Sequence, residues 1–188
     1  EKGYLYFNLI NFYFNLKQYK DVIENYPYVS TFSKNLNDSE KSILRLKSDY
    51  LVSLSYMELK DYDKGIVILK TLLSADSKNL SGEPLQIFYK AFYYIGWLYY
   101  KQSNFIDAAK NFGTASLLDI TDQNIIKDSY YMEAISHFSR KDYNTALQKF
   151  ETINKKFYPQ EIGIKAFYQT GKCYENLGSK DKAITVYK

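Results

Sequence analysis

Cysteine occurs once in this chain, at Cys173, so no intrachain disulfide can close and the fold must hold by packing. A lone thiol suits a reducing compartment, and it suits a disulfide-free periplasmic protein equally well. Three prolines and eight glycines are too few for the turns of a β-sandwich or barrel. Arginine is confined to Arg45 and Arg140, and histidine to His137. With one His and one Cys far apart, no zinc set can be assembled. The formal charge of +4 comes from dispersed lysines, with no block of five like charges, which excludes the polybasic signature of nucleic-acid or anionic-lipid binding. No run of 18 apolar residues is present, so no transmembrane segment is expected. A glycine-rich phosphate loop is missing too, and no cofactor is expected.

What is abundant is aromatic: 21 Tyr and 12 Phe, within a chain that is 46% hydrophobic and can therefore supply a core. Lys, Asn, Ile and Tyr abound while Arg is scarce, the composition of an AT-rich, bacterial coding sequence. The chain begins at Glu1 without Met and stops at Lys188 inside a helical pattern, which reads as an excerpt of a longer or processed protein.

Laid over itself at steps of 43, 43, 38 and 37 residues, the chain repeats one pattern five times. The clearest copy is Phe92, Ile95, Gly96 and Tyr99, then Ala108, Phe112 and Ala115. The periodicity is helical, and turn clusters fall between the periodic stretches, as at Asn35–Ser39, which ends in a helix cap, and Ser81–Pro84. Within the repeats the chain turns at 60–63, 101–104, 140–143 and 177–179. The units run over about 3–31, 40–75, 85–119, 122–157 and 160–188. Gly96, Ala134 and Gly171 are small where a first helix nears its partner. Ala108, Ala146 and Ala183 do the same from the partner, while Phe112, Phe150 and Tyr187 fill the gap to the next unit. Units one and two depart from this at Ile10, Ser53, Val22 and Gly65. His137 replaces the Tyr99-type residue and reads as a packed core histidine. Asp61/Asp63 and Asp119/Asp122 read as helix caps. No nucleophile with a base is present, so no catalytic residue is assigned and the chain is not expected to be an enzyme.

A large residue, Leu-Gly, Tyr, then Ala, an aromatic and a small residue is the spacing of the tetratricopeptide repeat, which the whole chain resembles in five copies. The resemblance implies an all-α, right-handed solenoid of about five helical hairpins in a single domain, built to hold another protein. The period exceeds the usual 34 residues. Long units broken by Tyr-Pro, as in Phe150–Pro159, resemble the repeats of bacterial cell-envelope proteins. Examples are the lipoprotein of the outer-membrane barrel-assembly machinery and the periplasmic coordinator of the Tol–Pal system.

In that family the first helix of each pair lines the concave face. Three columns would then face inward: Phe7, Tyr50, Tyr93, Tyr131 and Tyr168; Asn11, Leu54, Trp97, Ile135 and Lys172; and Phe14, Met57, Tyr100, Phe138 and Glu175. The middle column is usually polar, yet it carries Leu, Trp and Ile in three successive units, an apolar stripe that marks a groove for a hydrophobic peptide or helix. Covering of the stripe by extended helices or a terminal segment of the same chain is the competing reading. Some family members clamp a C-terminal carboxylate; Asn11 matches one of those positions, but Phe7, Leu51 and Tyr94 stand at the others, so the clamp is absent. Ala183, Val186 and Tyr187 leave an apolar face at the C-terminal end, a surface for continuation of the chain, a partner or self-association. The expected function is a scaffold of the cell envelope, periplasmic or lipid-anchored. A cytoplasmic adaptor subunit and the interaction module of a larger enzyme or peptidoglycan-binding protein are the alternatives. RNA recognition is the least favoured, because helical repeats read bases through polar inward side chains.

Overall fold

The computed structural model describes residues 2–74 and 76–188. Ala75, the last residue of the second expected unit, lies outside them. The helices are α1 (Lys2–Asn15), α2 (Tyr19–Thr31), α3 (Asp38–Glu58), α4 (Tyr62–Leu73), α5 (Gly82–Lys101), α6 (Phe105–Leu117), α7 (Gln123–Ser139), α8 (Tyr143–Phe157), α9 (Glu161–Asn176) and α10 (Lys180–Tyr187). A short 3-10 turn, Ser77–Asn79, precedes α5. Among the described residues there is no strand, as the helical periodicity requires. The chain divides into two compact units, Glu1–Leu98 and Tyr99–Lys188, and α5 gives residues to both.

One local device recurs five times. Lys17, Lys60, Ser103, Lys141 and Gly178 have φ of 59°, 63°, 59°, 66° and 76°. Each follows the end of a first helix, and the next residue donates its N–H back to a carbonyl five residues earlier. These bonds are Gln18 to Tyr13 at 2.9 Å, Asp61 to Tyr56 at 2.9 Å, Asn104 to Tyr99 at 2.9 Å, Asp142 to His137 at 3.0 Å and Ser179 to Tyr174 at 2.9 Å. Together with the shorter bonds from Lys17, Lys60, Ser103, Lys141 and Gly178 themselves, they form Schellman motifs that satisfy carbonyls otherwise orphaned at a helix end. The donating residue is at once the N-cap position of the next helix. One residue therefore closes one helix and opens the other.

The N-caps vary in chemistry. Asn37 and Glu40 form a reciprocal capping box, Glu40 N–H donating at 2.8 Å and Asn37 N–H at 3.1 Å. The cap thus falls on Asn37, at the middle of the expected turn cluster rather than at its end, because only Asn37 has a Glu three residues ahead. Asp122 caps α7 through Asn124 N–H at 3.0 Å. Asp61 makes no side-chain cap bond; its carboxylate pairs with Lys64 at 2.6 Å instead.

The core of the first unit gathers Ile10, Val22, Val29, Leu44 and Val52. Ile10 and Val22, larger than the pattern prefers, still meet with no exposed surface. In the second unit Ala134, Ala146, Phe150, Ile153, Phe157, Ala166 and Cys173 pack together. Burial pushes the Cys173 thiol up to about 11, so it serves as a small apolar side chain. A Cβ on Gly171 would collide with the Tyr187 ring. Tyr187, 42% exposed, thus closes over its own hairpin, unlike the fully buried Phe112 and Phe150.

One core position breaks the pattern. Where the other hairpins carry Tyr6, Phe92, Tyr130 and Phe167, the second hairpin has Asp49, only 2% exposed. Its carboxylate accepts the Tyr26 hydroxyl hydrogen and lies 3.6 Å from Arg45 Nε. Burial raises its pKa above the ordinary 3.8, outweighing the Tyr26 bond and the Arg45 charge, which lower it.

An L-residue in the left-handed region costs about 1–2 kcal/mol, partly offset by the about 0.5–1 kcal/mol that glycine loses in chain entropy. Lys60→Gly is therefore expected to stabilise by about 0.5 kcal/mol and to raise Tm by about 1–2 °C, whereas Gly178→Ala lowers it; a thermal melt that reverses this order refutes the assignment. Because the folded state holds the Asp49 proton more tightly than the unfolded chain does, this group's contribution to stability falls as pH rises above its unfolded value. Asp49→Asn, which still accepts from Tyr26, should exceed the wild type in urea midpoint at pH about 7 and lose that advantage near pH about 4. A less stable variant at neutral pH would contradict it.

Candidate functional site

The expected inward residues lie on the first helices α1, α3, α5, α7 and α9, and each unit carries its own share. In the first unit Phe7, Asn11 and Tyr50 converge on a cavity of about 230 Å³. Lys47, Leu51, Glu83, Gln86, Ile87 and Lys90 complete its lining, and the columns did not name them. Lys47 Nζ meets Glu83 at 2.5 Å and ties α3 to the start of α5. Of these lining residues all but Leu51 stand in the N-terminal parts of α3 and α5, ahead of Asp49 and Phe92, where the repeat pattern begins. Glu83, four residues before Ile87, was legible as a helical neighbour once the helix start at Gly82 was known.

Beside the cavity a chain of rings runs along α3 and α5. Tyr50 meets Tyr94 edge-on at 5.6 Å, Tyr94 meets Tyr93 at 5.1 Å, and Tyr93 meets Trp97 at 6.4 Å. Edge-to-face contacts of this kind hold each ring in place and add to the area buried. Burial, and the neighbouring Tyr94 and Tyr93, push the Tyr50 hydroxyl pKa up, so it stays protonated. Phe14 packs edge-on against Tyr19 at 5.8 Å, and Met57 is half-buried. Leu54 is only 8% exposed and belongs to the packed interior, and Trp97 is half-buried rather than open. The apolar stripe is thus less exposed than its composition suggests.

In the second unit the Tyr100 ring is tilted against Phe105 at 5.3 Å, with its hydroxyl 3.3 Å from Ser139. Tyr131 leans on Phe150 at 5.7 Å and accepts from Gln169 Nε2 at 3.2 Å. Phe138 meets Tyr143 at 5.2 Å, and Ile135 is half-buried. Tyr168 is 53% exposed, with Lys172 Nζ 5.2 Å above its ring. Ile164 and Phe167 on α9 and Ile184 on α10 are exposed as well.

His137 Nδ1 sits 3.1 Å from Asp142, whose other oxygen accepts from Thr145 N–H at 3.4 Å at the start of α8. Burial works to raise the Asp142 carboxyl, but these hydrogen bonds outweigh it and hold it below the ordinary value. The pair therefore joins α7 to the cap of α8. Among the described residues no three His, Cys, Asp or Glu side chains come together as metal ligands.

The tetratricopeptide-repeat family pattern matches residues 165–188, within the fifth hairpin. The fold is that of tetratricopeptide-repeat structures. A crystal structure of MamA protein is 17% identical with a TM-score of 0.73, over 100% of this chain and 88% of that one. Tetratricopeptide-like repeats of a putative kinesin light chain from Podosopora anserina are 13% identical with a TM-score of 0.70, over 97% and 89%. The C-terminal part of a repeat-containing protein from Cytophaga hutchinsonii is 19% identical with a TM-score of 0.67, over 96% and 62%. No curated protein matches the chain in sequence. At these identities the likeness is one of fold alone. Among the described residues no helix is long and apolar enough to cross a membrane.

Proposed function

We propose that this scaffold is non-catalytic and holds a hydrophobic segment of a partner protein against the first-helix faces of its hairpins, within a bacterial cell envelope. The observation that carries the reading is the interlocked series Tyr50, Tyr94, Tyr93 and Trp97 beside the cavity at Phe7, Asn11 and Tyr50. Rings already held in place lose little freedom on binding, so their contact area goes into affinity. Trp97 is the anchor, since large aromatic side chains at the centre of an interface dominate binding energy. The second unit offers Tyr131, Ile135, Phe138, Tyr168 and Lys172 on its own first helices. The envelope assignment rests on the long repeat period and the Tyr158-Pro159 break, and fractionation of cells carrying the full-length gene tests it.

For the anchor, envelope extract is passed over wild type and Trp97→Ala, with helicity and Tm matched. The captured partner's affinity should then fall by about thirty-fold, the equivalent of about 2 kcal/mol. Because the positive charge is dispersed, binding should change little with salt. A folded variant that keeps every partner at full affinity would make Trp97 a core residue and end the reading.

A further inference from the structure

The first unit holds a second cavity, away from the ring series, of about 630 Å³ between α2 and the extended start of α3. Its described lining includes three cations, Lys34, Lys41 and Arg45, and no acid. Lys34 is exposed and pairs with no acid among the described residues, where Lys41 reaches the fully exposed Asp38 at 3.5 Å. Arg45 is different. Asp49, buried under the Tyr26 hydroxyl, lies 3.6 Å from its Nε as an ion pair, and no hydrogen bond from the described residues engages the guanidinium, whose side chain is 64% exposed. A guanidinium paired on one side and open to solvent offers a planar fork matched to a carboxylate. A buried acid in a column that is otherwise aromatic is a departure from pattern of the sort that functional sites retain.

We propose that this cavity is a second partner-binding site, which takes an acidic side chain of a peptide on Arg45, Lys41 and Lys34, with Asp49 as the positioning residue for Arg45. Pro27, Val29 and the Tyr26 ring supply an apolar wall next to the cations. An inorganic anion would use only the charged end, whereas the volume is within the range of about 300–1,000 Å³ that organic ligands fill. A peptide in which an acidic residue is flanked by an aliphatic one satisfies both walls. The site shares no residue with the Trp97 surface, so it stands or falls separately.

The chain's two arginines make the test direct, because ¹⁵N-labelled protein shows one side-chain Nε–H signal for each. The probes are N-acetyl-Leu-Glu-Leu-Glu-Leu-amide, its Gln counterpart and inorganic phosphate. The acidic peptide is expected to shift the Arg45 signal saturably and leave Arg140 in place, while the Gln peptide shifts neither. Arg45→Lys, which keeps the charge and loses the fork, should weaken binding about ten-fold. Asp49→Asn should weaken it too although that variant is the more stable protein, a combination that a purely structural role would not produce. Trp97→Ala should leave it unchanged. Equal shifts at both arginines, equal binding of the Gln peptide, or saturation by phosphate with no response to the peptide would each overturn the proposal.

Discussion

The joint between the two helices of each hairpin is the constraint on which the rest depends. A single N–H, that of the residue opening the second helix, returns to the carbonyl of the Tyr-type residue in the first helix. With that bond in place the same step of nine positions separates Tyr13 from Val22, Tyr56 from Gly65, Tyr99 from Ala108, His137 from Ala146, and Tyr174 from Ala183. Side chains on two helices interdigitate only if their register is set, and here the backbone sets it before any core contact is made. His137 keeps the joint although it replaces Tyr, since the carbonyl and not the ring is what the turn uses.

The uneven period has its origin on the other side of each hairpin. α3 and α5 have 21 and 20 residues, against 17 and 16 for α7 and α9. The steps of 43 residues are those that lead into the two longer helices. Their extra N-terminal turns carry Lys41 on α3 and Glu83 on α5, which line one cavity each. Departure from the common period is thus where the first unit acquires polar surface.

Helix positions and turns were legible because each amphipathic stretch repeats at 3.6-residue spacing and is closed by polar clusters. The left-handed Lys17, Lys60 and Lys141 were not, since lysine gives no sign of φ and only the repeat alignment places them in line with Gly178. Asp49 was visible as an acid in an aromatic column, but its partner Tyr26 stands 23 residues away and no local pattern joins them. Of the expected inward residues, Phe7, Asn11 and Tyr50 meet at one cavity, while Leu54 is buried. Column position on a helix does not report how much of a side chain its neighbours cover. The excess of tyrosine becomes intelligible in the same terms: Tyr26, Tyr100, Tyr131 and Tyr174 each pack a ring and engage a polar partner with the hydroxyl.

A joint that is invariant, beside connections that vary, makes each hairpin a cassette. Length changes at 33–37, between α2 and α3, or at 118–122, between α6 and α7, leave every helix register intact, whereas one residue inserted between Tyr56 and Gly65 would rotate α4 by about 100° against α3. Evolution of this chain by duplication therefore has a natural seam. Recombination at the seams exchanges whole helix faces while the hairpins keep their registers.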